Sequence, residues 1–258
     1  MRDLIAVLRL RRIWWRLGVQ DLRLRFRRAA LGIGWIFIQL AATVAALGTV
    51  YGTLLGQDMR TFLPFLAVGL VLWGFITASV VEGSQAFVAS EGYIKQIGLP
   101  IQVYVFRFFV SIAIAAAMSL SSYVVVVVLY AVPIGWGILW SIPGLILLGA
   151  TGFWLVLIFA HLTARFRDTA HLAATALQIL FFVTPVIWPP EMLKGRPLQW
   201  VVDANPFYHL LEVVRRPLLF SESATTANYL VGLGVVIGLG LVASLVAQLY
   251  SRRIVYLL

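Results

Sequence analysis

The 258-residue chain contains no cysteine, which removes disulfide frameworks and thiolate metal sites together. Charge is scarce at 12% of residues, against 62% hydrophobic, whereas a soluble domain carries about 25% charged and roughly 45–50% apolar residues. Acidic residues are scarcer still, with ten Asp and Glu against twenty Lys and Arg. Almost none falls within the long apolar runs, so the chain lacks the carboxylate relay of a proton-coupled pump. Three histidines, His161, His171 and His209, show neither H-E-x-x-H spacing nor a paired carboxylate, so neither a metal nor a catalytic site is expected, and each His reads as an interfacial side chain. There is no G-x-x-x-x-G-K-[ST] loop, so ATP and magnesium have no phosphate cradle here and no cofactor is expected on this chain.

Long apolar runs are what the sequence does have, and mean hydropathy is +0.96. Runs at about 32–54, 62–81, 108–130, 143–162, 170–188 and 227–250 are each long enough to cross ~30 Å of hydrocarbon. The expected fold is an all-α membrane protein of six transmembrane helices. Nine Arg precede the first run, while Arg252 and Arg253 follow the last. Positive-inside bias therefore puts both termini in the cytoplasm. With that topology the inner segments hold fifteen Lys/Arg against five Asp/Glu, and the outer segments five against five. The whole formal net charge of +10 is then internal, which argues for membrane orientation and against nucleic acid as a partner.

Three stretches are neither spans nor short loops. Residues 1–30 are expected to form an amphipathic helix at the inner interface, with Arg2, Arg9, Arg12 and Arg16 on one arc and Leu4, Val7, Leu8, Leu10, Trp14, Trp15 and Leu17 on the rest. Ile5 and Arg11 depart from that pattern. The remainder, 31–258, is read as one transmembrane domain. Within it, the cytoplasmic connection 83–107 is far longer than the usual helix–helix loop, which suggests a docking element. The external connection 189–228 is apolar yet too charged to span. It has Asn205-Pro206 where a helix N-cap and first position would fall, and it is expected to re-enter the outer leaflet as helices before the last span. Gly234 and Gly238 form a G-x-x-x-G helix-packing pattern in the last run. Trp35, Trp73, Trp136, Trp140, Trp188 and Tyr250 fall near expected span ends, as interfacial anchors do.

Leu22-Arg23-Leu24-Arg25-Phe26 followed by Leu31-Gly32-Ile33-Gly34-Trp35 resembles the start of the ABC-2 type permeases that export O-antigen, capsule or teichoic acid. Gln39-Leu40 stands where that family usually has Pro. Ala164-Arg165-Phe166-Arg167-Asp168-Thr169, then Leu177-Gln178 and Thr184-Pro185-Val186-Ile187-Trp188-Pro189, is similar to the family's A-R-Y-R-D, L-L-Q and S-P-V-x-Y-P series. Asn205-Pro206-Phe207-Tyr208 leading to Glu212 and Arg215 resembles its N-P…E…R segment.

The resemblance implies a homodimer of this chain with two ATP-binding subunits in the bacterial inner membrane. Its cargo would be a polysaccharide on an undecaprenyl-diphosphate-type lipid, with membrane lipids around it. Arg23, Arg25 and Arg27 are the implied diphosphate residues, since guanidinium groups pair well with phosphate oxygens. Coupling to the ATP-binding subunit would fall to Glu82, Ser84, Glu91, Lys95, Arg165 and Asp168. Trp188, Asn205, Phe207, Tyr208, Glu212 and Arg215 would form an external gate. An ABC-2 permease for a lipid or drug is the alternative, followed by a membrane enzyme acting on polyprenyl phosphates, which would need clustered acidic or His residues at one face.

Overall fold

The computed structural model describes residues 7, 9–27, 29–251 and 254–258. Arg2, Leu4, Ile5, Leu8, Arg28, Arg252 and Arg253 lie outside the described residues. Most of those described are helical, with no strand among them.

The N-terminal helix α1 spans Arg11–Phe26 and is followed by α2 (Gly34–Leu54) and α3 (Met59–Val81). Between α1 and α2 the backbone turns through Gly32 at φ +52°, a left-handed conformation that a Cβ would strain. A connection containing the short α4 (Glu91–Gln96) leads to α5 (Gln102–Ser121) and α6 (Tyr123–Tyr130), which together run as one apolar rod. Next come α7 (Ser141–Arg165) and α8 (Thr169–Val183). After these, α9 (Gln199–Asp203) and α10 (Pro206–Phe220) precede α11 (Thr226–Tyr250) and the terminal turn α12 (Ile254–Leu257).

Among the described residues, five rods are long and apolar enough to cross a membrane: Gly34–Leu54, Met59–Gln85, Gln102–Tyr130, Trp136–Arg165 and Thr226–Tyr250. The sixth expected span is shorter than its run of hydropathy, because α8 stops at Val183. Thr184 precedes a proline, which disfavours the helical region, and it sits at φ −84°, ψ 138°. Fifteen helical residues cover only about 22 Å, and the chain then leaves the helix through turns and bends at 184–188, where the Val186 amide donates to Thr184 O at 2.7 Å. Non-helical backbone at such a depth needs protein around it. Thr184, Pro185, Val186 and Ile187 are accordingly all buried.

Contacts fix which ends of the helices lie together. Arg25 pairs with Glu82 at the end of α3, and Gly83 rests against Val156 of α7. At the same end the His161 ring meets Phe87 and the Ser251 hydroxyl. Both described chain ends therefore lie at one end of the bundle. At the other end Ser221 Oγ donates to Pro133 O and accepts from the Gly135 amide, while Tyr229 Oη donates to Trp140 O.

The core lies where α3, α7 and α10 meet. α10 approaches α7 so closely that a Cβ on Gly144 would lie 2.2 Å from the Val213 carbonyl oxygen. Packing between α7 and α11 departs from the expected glycine register. Gly234 and Gly238 have open space where a Cβ would stand, while Gly240 lies against Trp154 and Gly232 against Leu147 and Leu210. The small face used within the chain is thus Gly232, Gly240 and buried Ala243. His161 and His209 are buried and hydrogen-bonded instead of interfacial, and only His171 is exposed. Trp73, expected near a span end, lies buried deep within α3.

Candidate functional site

α1 is clamped to α5 by a glycine and an ion pair. Gly18 lies so near the Arg107 carbonyl that a Cβ would be 2.7 Å from it. Three residues on, Asp21 accepts two bonds from Arg107, Nε at 2.5 Å and Nη2 at 2.7 Å. The same helix stacks Trp14 on Phe106 at 5.0 Å. Because α5 begins at Gln102, the expected connection 83–107 loses its last residues to this helix, where Val103, Tyr104 and Val105 are buried. Val7 is buried and Trp14 half-buried, whereas Arg9, Arg12, Arg16 and Trp15 are exposed.

Anchoring α1 in this way decides where its arginines point. Arg23 and Arg27 share one exposed face, being four residues apart. Arg25 turns to α3 and grips Glu82 through two bonds, one of 3.1 Å from Nη1 to Oε1. The three arginines therefore do not converge on one point. Arg25 and Glu82 stand together at the mouth of a hollow of about 480 Å³ between α2, α3 and α5, whose polar lining includes Gln39, Thr43 and Ser119.

On the other face of α3 an open groove of about 650 Å³ runs between α3 and α8. Trp73, Phe181 and Phe182 wall it, with Thr77, Gln178 and Glu82 as polar members. Trp73 meets Phe181 at 6.0 Å and Phe207 of α10 at 5.6 Å between ring centroids. The aromatic wall thus reaches from the Glu82 end of the bundle to the start of α10. Glu82, Gly74, Leu70 and Ala78 border both hollows.

The residues assigned to coupling occupy different settings. Glu82 is engaged by Arg25, and Ser84 is fully buried with its hydroxyl donating to Val81 O at 2.7 Å. Ser84 therefore supports the connection from inside and offers no contact surface. Glu91 accepts a 2.6 Å bond from Lys95 on the exposed turn of α4. That bond, helped by the Lys95 charge and a weaker pull from Arg167, holds the Glu91 carboxyl below its ordinary value. Arg165 lies over the Phe166 ring at 5.3 Å, and Asp168 is exposed just before α8. Glu91, Lys95, Arg165 and Asp168 remain available at the surface.

Five of the six gate residues lie on α10 or at its N-cap, and two of them, Asn205 and Arg215, are buried. Asn205 caps α10, its Oδ1 accepting from the amides of Phe207 at 2.9 Å and Tyr208 at 3.3 Å, while Nδ2 donates to Thr184 at 2.9 Å. Arg215, 1% exposed, donates from Nε and Nη2 to Glu212 and from Nη1 to Pro185 O at 2.8 Å. Its guanidinium also lies 3.9 Å from the Phe65 centroid. Tyr208 is half-buried beside His209. Trp188 stands slightly apart and donates to Phe182 O at 3.0 Å.

No group of three metal-ligating side chains occurs among the described residues. Residues 12–219 match the family described as ABC-2 type transporter. The chain belongs to that family. It is also similar to a Myxococcus xanthus protein named O-antigen export system permease protein RfbA, at 26% identity over 195 residues, 74% of each chain. As an ABC-2 permease the chain is a multi-pass membrane transport subunit, and the family implies an ATP-binding partner.

The sequence singled out Arg25 and Glu82 separately but not as a pair, since 57 residues separate them. Asp21–Arg107, 86 residues apart, was equally hidden. Gln39 and Thr43, one turn apart in the first span, were the local signals for the hollow.

Proposed function

We propose that the chain is the membrane subunit of an ATP-driven exporter of lipid-linked polysaccharide, working as a homodimer with two ATP-binding subunits in the bacterial inner membrane. Both termini face the cytoplasm, and the lipid carries a diphosphate of the undecaprenyl type. The aromatic groove between α3 and α8 carries this reading. Phe181 and Phe182, backed by the buried Trp73 ring, offer apolar faces, with the exposed Gln178 for hydroxyl groups. Sugar rings stack on such faces and hydrogen-bond at their rims, so a polymer finds repeated contacts and no single tight site. The name of the Myxococcus relative supports the same cargo class.

In this reading α9 and α10 dip into the outer leaflet and close the groove. Leu219 and Phe220 lie near Gln57 and Phe62, at the start of α3, whereas Phe207 lies against Trp73 further along it. Glu91, Lys95, Arg165 and Asp168 face the ATP-binding subunit. The test is glycan export in cells carrying Phe181→Ala with Gln178→Leu, normalised to the amount of chain in the membrane. Export should fall severalfold at normal chain level, and unchanged export would refute the groove as the path.

A further inference from the structure

Arg25 is held in a particular way. Its guanidinium is engaged by Glu82, the residue that ends α3 and begins the connection carrying α4. Both side chains are partly open, at 45% and 35% exposure. An exposed pair of this kind is weak and salt-screened. A diphosphate offers the same guanidinium more acceptor oxygens and more charge than one carboxylate does. The hollow beside the pair is large enough to admit a headgroup at its mouth, and Gln39, Thr43 and Ser119 line its wall.

We propose that Arg25–Glu82 is a latch that a lipid diphosphate opens. With the site empty, Glu82 neutralises Arg25 and ties α1 to the end of α3. A diphosphate takes Arg25, and Glu82 is expelled by the new negative charge. The freed carboxylate sits at the root of the connection, whose Phe87 packs on His161 and whose Gly83 packs on Val156. Occupancy of the lipid site is thereby transmitted to the surface that meets the ATP-binding subunit. This inference rests on the diphosphate-lipid reading above.

The test uses the complex with its ATP-binding subunit in phosphatidylcholine nanodiscs. ATP hydrolysis is read with undecaprenyl diphosphate, undecaprenol, inorganic pyrophosphate or phosphatidylglycerol added. Wild type should respond to undecaprenyl diphosphate and not to undecaprenol. A response to pyrophosphate alone would move the ligand from a lipid to a free anion, and one to phosphatidylglycerol would make it any anionic lipid; either overturns the proposal as stated. Glu82→Gln should raise the unstimulated rate about two- to fivefold, the factor that an exposed ion pair is worth.

The charge-reversed pair Arg25→Glu with Glu82→Arg should show a lower unstimulated rate than Glu82→Gln and a weaker response to the lipid than wild type. A double variant that still responds like wild type overturns the latch while leaving the export reading intact. Absence of any response in wild type overturns both. Because the chain has no native cysteine, spin labels at exposed Leu24 and Gln85 give a second readout. Their separation should increase with undecaprenyl diphosphate, and an unchanged separation would count against the latch.

Discussion

Replacing Arg215 with Met tests whether the broken passage at 184–188 is held by a side chain. Arg215 is 1% exposed and Glu212 12%, so removing the guanidinium leaves a mostly buried carboxylate without a counter-ion. Pro185 O also loses its donor. Breaking a buried pair from one side costs about 3–5 kcal/mol, most of it for the stranded charge. In a chain of this size that corresponds to a fall in Tm of about 6–20 °C. The partner experiment is Glu212→Leu with Arg215→Met, which strands no charge and should recover more than half of the loss. The assay is thermal unfolding in detergent, followed by loss of the monodisperse peak. An Arg215→Met protein within about 2 °C of wild type, less than 1 kcal/mol, would refute the reasoning. So would a double variant no more stable than the single.

Gly144→Ala places a Cβ 2.2 Å from the Val213 carbonyl and should destabilise by about 1–3 kcal/mol; Gly234→Ala, with open space around it, should be neutral or gain up to about 1 kcal/mol, both read by the same thermal assay. Asp21→Asn should loosen α1 from α5, seen as faster proteolysis within residues 11–26 while the core fragment survives. The Glu91 carboxyl titrates below its ordinary 4.5 because Lys95 donates to it. The contribution of that pair to α4 is therefore present above pH 4.5 and is lost as pH falls through the lower, folded value. Lys95→Met should return the Glu91 midpoint, followed by carboxyl NMR, towards 4.5.

Hydropathy located the long helices because burial in lipid imposes its pattern on every turn. It could not show that α8 stops short, since Val186, Ile187 and Trp188 continue the apolar run; the proline at 185 was the available signal. Asn205-Pro206 was legible because capping is local chemistry, and the structure places both bonds of that cap. Pairings such as Asp21–Arg107 were not legible, because they depend on which helices meet. The glycine pattern of the last span does not mark its contacts within the chain, for a related reason. A G-x-x-x-G spacing marks a smooth face, but Trp154 selects Gly240 instead. Ser84 illustrates the limit for connections, where length suggested a docking element but gave no means of separating its inner from its outer side.

α3 is the wall common to both hollows, and its outer half is fixed. A Cβ on Gly69 would lie 2.9 Å from Val186 O, so α3 is packed tightly on the non-helical turn that Arg215 holds. Further along, Gly74 borders both hollows, and no neighbouring atom lies within 4 Å of its added Cβ. A larger side chain at 74 can therefore enter without disturbing the core, and it must narrow whichever hollow it occupies. Gly74→Phe should leave chain level and Tm within about 0.5 kcal/mol of wild type, as expected where no packing is broken. Export of lipid-linked glycan should fall at least severalfold. Gly74→Ala is the matched control, gaining helix propensity while projecting little into either space. Normal export by a stably folded Gly74→Phe protein would mean that cargo uses neither side of α3, and the path would then have to lie on α2 or α11, whose outward faces carry none of the residues assigned to cargo here.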